Sequence, residues 1–235
     1  MNNAIKEILT SFLLNSKDSK LKTFNEKIFQ TKTFVLGVSF PKLTKFSKEL
    51  LIKFPYEEIL DSLDLNVFEH QALYVLVLAS LKEENVVLEK LKNLFPRIDT
   101  WAITDMFNKL KIFNSDKYYP YILALLKNEL PHVRRIGLVI LQANYLNSNH
   151  IDDILNSIKA MDYSDYIVKM MVAWLCSNLY LINEDKTFKF LEKLCDPEIV
   201  KFTVRKLLDS RKVADKEKVK AFYKAYKEVS GGYLS

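Results

Sequence analysis

Four residues of this sequence combine two indoles, a carboxylate and a guanidinium. Trp101 precedes Asp105 by four positions, Arg135 follows Asp105 thirty positions later, and Trp174 follows Arg135 after thirty-nine more. In a helix, residues four apart are neighbours on one side, so an indole lies beside a carboxylate at 101 and 105. Because indole faces attract cations, this pair predicts a surface for a cationic or flat ligand.

The segment 99–111 must position this pair, and its pattern predicts an amphipathic helix. At 100° per residue, Trp101 and Asp105 fall with Asn108 on the side opposite the apolar stripe. The apolar stripe consists of Ile103, Met106, Phe107 and Leu110. An indole on the non-core side of a helix favours a functional interpretation. Taken alone, Trp174 fits a core position and Arg135 fits a salt-bridged structural arginine.

The rest of the chain predicts an all-α protein. It holds only four glycines and six prolines, and its apolar residues recur at steps of three and four. We expect one domain over 1–235, with a frayed tail at 230–235. The predicted helices span roughly 2–15, 18–31, 41–53, 56–63, 66–81, 84–94, 98–111, 116–128, 131–146, 150–160, 164–181, 184–194, 197–209 and 215–228.

A faint internal repeat indicates how these helices are arranged. Val133, Val168 and Val200 each precede a basic residue near the start of a predicted helix, at intervals of 35 and 32 residues. This pattern is typical of HEAT-type repeats, in which antiparallel helix pairs stack into a curved solenoid. The prediction is a HEAT-like, armadillo-type α-α superhelix with a concave surface.

The net charge of +6 is concentrated near the C-terminal end. The range 197–227 holds ten Lys/Arg and four Asp/Glu, which is a net charge of +6. The remainder of the chain therefore has no net charge. A localised basic surface predicts a polyanionic partner. A solvated lysine-rich face is the alternative.

Several classes of site have no signature here. Cys176 and Cys195 lie in apolar helical segments and fit a reducing compartment, and the three scattered histidines lack zinc-site spacing, so we expect no metal. No glycine-rich phosphate loop or serine-hydrolase elbow is present, so we expect no nucleotide cofactor. The amphipathic N-terminus and the absence of a long apolar run predict a soluble, cytoplasmic protein outside the membrane.

The four residues also fall within motifs that resemble those of a known family. The chain is similar to the AlkD family of bacterial DNA alkylation repair proteins over about 18–225. The similarity runs through the segments 34–41 (FVLGVSFP), 98–105 (IDTWAITD), 133–136 (VRRI) and 166–174 (YIVKMMVAW). The resemblance implies a HEAT-like solenoid that acts as an alkylpurine DNA glycosylase. Its implied partner is double-stranded DNA carrying alkylated bases, bound by a monomer without a cofactor.

The resemblance also implies residue roles. Asp105 would be the catalytic carboxylate, Trp101 and Trp174 would be aromatic walls that hold the nucleotide, and Arg135 would contact the DNA backbone near the lesion. The Leu36–Pro41 loop and the following helix would add contacts. Further backbone contacts are expected at Ser39, Lys42, Lys45, Arg134, Lys169, Arg205 and Lys206.

The implied chemistry is consistent with these residue types. A purine alkylated at N3 or N7 is cationic and already a good leaving group, so a strong general acid is unnecessary. An ionised Asp105 would stabilise the oxocarbenium-like sugar and position water, as carboxylates do in glycosidases. Departures from the family pattern at Ile28, Phe40, Thr100 and Ala102 affect the expected substrate range and the strength of DNA contact, not the reaction class.

Three hypotheses follow from the sequence. The first is a glycosylase that excises cationic alkylpurines from duplex DNA. The second is a non-catalytic HEAT-like protein that recognises DNA structure, and the third is a protein–protein scaffold. Trp101 and Asp105 on a non-core face favour the enzyme, and the localised positive charge favours either DNA-binding hypothesis over the scaffold.

Overall fold

The chain forms two compact units. The computed structural model describes residues 2–194 and 196–230, with side chains from Ala4 onward. The N-terminal unit is Met1–Asp116 and the C-terminal unit is Lys117–Ser235. The expectation of a single repeat domain stays a prediction.

The all-α prediction is confirmed. The described residues form fourteen α-helices and four 3₁₀ helices, with no β-structure besides an isolated parallel bridge between Phe34 and Val67. The helices of the N-terminal unit are α1 (Asn2–Ser16), α2 (Ser19–Phe29), α3 (Phe40–Lys53), α4 (Tyr56–Asp61), α5 (Phe68–Leu78), α6 (Glu84–Leu94) and α7 (Trp101–Thr104). Those of the C-terminal unit are α8 (Tyr119–Leu125), α9 (Pro131–Asn144), α10 (Ile151–Ala160), α11 (Tyr166–Tyr180), α12 (Glu184–Lys193), α13 (Pro197–Asp209) and α14 (Lys216–Ser230). The 3₁₀ helices are Phe95–Arg97, Asp105–Lys109, Lys111–Asn114 and Asp116–Tyr118.

No helix within the described ranges is both long enough and apolar enough to cross a membrane.

Helix α5 is the centre of the N-terminal unit. It is buried along its length except at His70, and α3, α4 and α7 pack against it. A helix enclosed on several sides needs apolar residues around its whole circumference, which explains the nearly continuous apolar sequence from Ala72 to Leu78. The α5 core thereby supports α3 and α7.

In the C-terminal unit, α9, α11 and α13 are successive neighbours. Helix α11 packs against both α9 and α13, while α8 packs on α9 and α14 packs on α13. The repeated Val133, Val168 and Val200 are fully buried near the starts of these three helices. The periodicity seen in the sequence therefore corresponds to three helices packed side by side, as stacked repeats require.

The largest differences between predicted and observed helices are in two segments. The segment predicted as 98–111 is α-helical only over Trp101–Thr104 and continues as a 3₁₀ helix over Asp105–Lys109. The Thr104 hydroxyl donates to the Trp101 carbonyl at 2.9 Å, at the point where the α-helix changes to the 3₁₀ helix. The segment predicted as 116–128 becomes α-helical only at Tyr119, because Pro120 favours a first turn.

The end of the last helix also differs slightly. Helix α14 continues to Ser230, two residues beyond its predicted end. The rest of the tail, 231–235, for which fraying was expected, lies outside the described residues.

Candidate functional site

Trp101 and Asp105 line the same cavity in the N-terminal unit. Its volume is about 760 Å³. Ile103 and Phe107 of the predicted core face are 0% exposed, as expected. Met106, which was also predicted for the core face, lines the cavity with Trp101 and Asp105. The cavity is lined by Phe29, Phe40, Pro41, Thr44, Lys45, Lys48, Trp101, Ala102, Asp105, Met106, Asn108 and Lys109.

The cavity combines apolar and cationic groups. Phe29, Phe40 and Met106 supply apolar surface, and the exposed Lys45 and Lys48 of α3 add positive charge. Together with the carboxylate and the indole, this lining suits a ligand with a flat ring and an anionic backbone.

The indole of Trp101 is held by the end of α2. Its Nε1–H donates to the Ile28 carbonyl at 3.2 Å. Its ring meets the Phe29 ring edge-on, with centroids 5.6 Å apart and planes at 88°. Of the four departures noted in the sequence, Ile28 thus contributes its backbone, and Phe40 and Ala102 line the cavity.

Thr100, the remaining departure, caps α7. Its hydroxyl accepts a hydrogen bond from the Ala102 N–H at 3.3 Å, and it donates to the Phe29 carbonyl at 3.2 Å. The start of α7 is therefore bonded to the same helix end that holds Trp101.

Asp105 follows one turn after Trp101 and begins the 3₁₀ segment. The Thr104 hydroxyl lies 3.3 Å from its Oδ1. Because Asp105 is only partly buried and lines the cavity, its carboxylate can face a bound ligand.

No sequence pattern indicated the role of Glu69. This fully buried carboxylate accepts hydrogen bonds from the N–H groups of Leu36, Gly37 and Val38, at 3.0, 2.8 and 3.1 Å. It thereby fixes the loop that leads into α3, where Phe40 and Pro41 line the cavity. The donors lie more than thirty positions away, a separation that helical periodicity cannot reveal.

Gly37 is required in the same loop. Its φ is +87°, and a Cβ there would lie 2.4 Å from the Asp18 carbonyl oxygen. Only glycine adopts this backbone without strain and leaves room for the close approach.

In the C-terminal unit, Arg135 lies in the first turns of α9 and is only 6% exposed. Its Nη1 donates to the Ile167 carbonyl of α11 at 2.6 Å. This bond fixes the guanidinium between two neighbouring helices. The expected contact of Arg135 with DNA stays a prediction.

Trp174 is not a core residue, although its spacing alone fitted one. It is 41% exposed on α11, about two turns beyond Ile167. The ammonium of Lys206 on α13 lies 5.4 Å from its ring centroid, within cation–π distance. The Trp174 ring therefore already interacts with a cation.

Arg134, one of the expected DNA contacts, is buried and hydrogen-bonded within the protein. Arg134 is 5% exposed, and its Nη1 donates to the carbonyls of Asn128 and Glu129 at 2.8 and 3.0 Å. Its Nη2 pairs with the Asp162 carboxylate at 2.9 Å. The guanidinium thus ties together the loops before α9 and α11, and its predicted contact with DNA has no support in this geometry.

Lys169 is similarly engaged. Its Nζ lies 2.9 Å from Asp196 and 2.7 Å from Glu198. The hydrogen bonds to these two carboxylates, Asp196 first, raise the pKa of Lys169. Lys169 therefore joins α11 to the start of α13.

The other expected contacts lie nearer the surface. Ser39 directly precedes α3, Lys42 places its Nζ 3.3 Å from the Ser16 carbonyl, and Lys45 is exposed beside the cavity. Arg205 is exposed on α13. Their contacts with DNA stay predictions.

The buried cysteine does not provide a reactive centre. Cys176 is 0% exposed, and burial raises the pKa of its thiol to about 12, so it stays protonated and inert at neutral pH. The predicted packing of Cys195 lies outside the described residues. In the part of the chain that the structure describes, no cluster of three or more His, Cys, Asp or Glu residues could hold a metal ion.

Comparison with protein families identifies a match over most of the chain. A family model described as "DNA alkylation repair enzyme" matches residues 9–221, most of the chain and both units. The resemblance seen in the four sequence motifs is confirmed. No curated protein and no solved structure matches the chain.

Proposed function

The chain belongs to the DNA alkylation repair enzyme family, and on that premise we propose that it is a DNA glycosylase. Membership gives it a role in DNA repair. The proposed reaction is hydrolysis of the N-glycosidic bond that joins a cationic N3- or N7-alkylated purine to the sugar of duplex DNA.

The observation that carries the proposal is the pairing of Trp101 with Asp105 on one cavity wall. An indole and a carboxylate are both complementary to a cationic purine and to the positive sugar that forms as the base departs. A cavity of about 760 Å³ has ample room for a nucleotide.

Asp105 is the proposed catalytic carboxylate. As the glycosidic bond breaks, positive charge moves from the alkylated base to the sugar, and the ionised carboxylate stabilises that charge. The same oxygens can accept a hydrogen bond from the attacking water. The departing base leaves neutral, so no protein group needs to protonate it.

The lysines of the cavity fit a DNA substrate. Lys45 and Lys48 lie one turn apart on α3, on the same side of the helix, and both are exposed at the cavity. Phosphates beside the damaged nucleotide would be paired with these ammonium groups.

We also propose that two residues of the C-terminal unit help to bind the DNA. Arg135, held near the start of α9 by its bond to Ile167, would contact the DNA backbone near the lesion. Trp174 would hold a nucleotide through its exposed ring.

The proposal is tested by base release from methylated duplex DNA. A duplex treated with a methylating agent is incubated with the protein, and free 3-methyladenine and 7-methylguanine are measured by mass spectrometry. We expect release above the spontaneous rate of a protein-free sample and none from untreated duplex.

Other results of this experiment would favour one of the two alternative functions. Binding to duplex DNA with release at the spontaneous rate would favour a non-catalytic DNA-binding protein. The scaffold hypothesis would remain if the protein neither bound duplex DNA nor released base.

A further inference from the structure

Three consecutive residues join the start of α7 to the end of α2. Trp101 bonds to the carbonyl of Ile28 and Thr100 bonds to that of Phe29. Asp99, the residue before them, bonds to the loop that follows α2. Residues 99–101 are thus bonded, one after another, to the end of α2 and the loop that follows it.

Asp99 makes the largest number of these bonds. Its Oδ1 accepts from the hydroxyls of Thr31 and Thr33 at 2.5 and 3.0 Å, and its Oδ2 accepts from the N–H groups of Lys32 and Thr33 at 2.7 and 3.1 Å. Four donors from three consecutive residues therefore converge on one carboxylate. Hydrogen bonds to an ionised acceptor are stronger than neutral ones, so this carboxylate is a firm anchor.

The loop is also fixed at its far end. The N–H of Phe34 donates to the Asn66 carbonyl at 3.2 Å, and the Phe34 carbonyl accepts from the Phe68 N–H at 2.9 Å. The loop is thereby attached to the start of the buried helix α5. Through Asp99, the segment that carries Trp101 and Asp105 is attached to the same core.

We propose that Asp99 is a positioning residue for Trp101 and Asp105, an inference whose catalytic consequence rests on the proposed glycosylase function. Asp99 is not among the residues that line the cavity, so it acts through the segment that follows it. Without the four hydrogen bonds to Asp99, the bonds from Thr100 and Trp101 to α2 would have to hold this segment. The indole of Trp101 and the carboxylate of Asp105 would then both gain freedom to move.

The test uses the fact that the sequence contains only two tryptophans. In a Trp174→Phe background, Trp101 is the only tryptophan and its fluorescence reports its own surroundings. Asp99→Asn keeps the size of the side chain but replaces one acceptor oxygen with a donor, which faces other donors. We expect greater acrylamide quenching and a red-shifted emission for Trp101.

A second measurement follows the chemistry with Trp174 retained. A displacement of the order of 1 Å at a reacting group costs up to about 100-fold in rate, so we expect Asp99→Asn to slow single-turnover base release about 10- to 100-fold. Affinity for duplex DNA should change little, because Asp99 does not line the cavity. Asp18→Asn, at the opposite end of α2, is the matched control, since Asn caps helices as well as Asp and should alter neither measurement.

A purely structural role predicts a different result. A folded Asp99→Asn protein with a lower melting temperature, but with unchanged Trp101 quenching and unchanged base release, would overturn the proposal. If Asp99→Asn does not fold, Thr31→Val removes one of the four donors and the same two measurements decide with that variant. If the unsubstituted protein releases no base, the proposed function fails, while quenching still decides whether Asp99 positions Trp101.

Discussion

Three carboxylates of the N-terminal unit have different surroundings. Glu69 and Asp99 accept hydrogen bonds from backbone N–H groups of the connection between α2 and α3, whereas Asp105 lines a cavity beside an indole. Carboxylates that hold loops through several backbone N–H groups contribute to positioning. We propose that Asp105, the carboxylate on the cavity wall, is the one that takes part in the chemistry.

At the residue scale, His70 predicts a pH dependence of stability. Its Nδ1 accepts a hydrogen bond from the Asp64 N–H at 2.8 Å, which requires a neutral ring nitrogen. Burial lowers the pKa of His70, and the charge of Asp64 opposes this shift only in part. A lowered pKa means that the unfolded chain binds the proton more readily than the folded protein does. The contribution of His70 to stability is therefore complete above about pH 6.5 and is lost as the pH falls through the folded-state pKa.

We therefore compare unfolding free energies of the wild type and His70→Asn, which cannot titrate. On acidification from about pH 7 to about pH 5, the wild type should lose about 1 kcal/mol more than the variant, the size of one hydrogen bond. Urea unfolding at each pH measures this. Parallel pH profiles of the two proteins would show that His70 makes no such contribution.

At the element scale, the positions of most helices follow from sequence patterns. Apolar spacing and the prolines at 41, 131 and 197 predict helices close to α3, α9 and α13 as observed. The change to a 3₁₀ helix after Thr104 was not predicted, because the apolar spacing of this segment fits one continuous helix. The burial of Arg134 was also missed, since its partner Asp162 lies twenty-eight residues away and no local pattern relates the two.

The contact between α8 and α9 gives a prediction at this scale. A Cβ at Gly137 would lie 2.7 Å from Leu126 Cδ2 and 3.2 Å from both the Ile122 carbonyl oxygen and Leu125 Cβ. Gly137→Ala gains about 1 kcal/mol in helix propensity, but crowding typically costs about 1–3 kcal/mol. We expect a net loss of up to about 2 kcal/mol in urea unfolding.

Ala143→Gly is the control, because Ala143 is exposed on the same helix and measures the propensity difference alone. It should cost up to about 1 kcal/mol. A Gly137→Ala protein more stable than the wild type would mean that α8 and α9 are not closely packed at this position.

At the scale of the whole molecule, charge is distributed unevenly. The basic range 197–227 corresponds to α13, most of α14 and their connection. Some of its cations pair within the protein, as Lys218 does with Glu184 and Lys220 with Glu217. Arg205 is exposed, and Lys206 lies over Trp174. The net positive charge of this range predicts a substantial electrostatic component in DNA affinity.

This component is measured by the salt dependence of binding to undamaged duplex. Each neutralised phosphate contributes a slope of about 0.9 in log affinity against log salt, so replacing Arg205 and Lys206 with Ala should flatten the slope by about 1.8. Lys82→Ala with Lys92→Ala removes two exposed charges from the N-terminal unit and should change the slope less. A wild-type slope near zero would exclude phosphate contacts as the basis of binding.

The central claim, that Asp105 is the catalytic carboxylate of a DNA glycosylase, is tested most directly by single-turnover release of 7-methylguanine. Asp105→Asn is isosteric and neutral, so we predict an intact fold, nearly unchanged DNA affinity and a loss of about 10²–10³ in rate, as for other preorganised charge-stabilising groups. Asp61→Asn, an exposed carboxylate of the same unit outside the cavity lining, should retain the wild-type rate. Equal rates for the wild type and Asp105→Asn would contradict the claim.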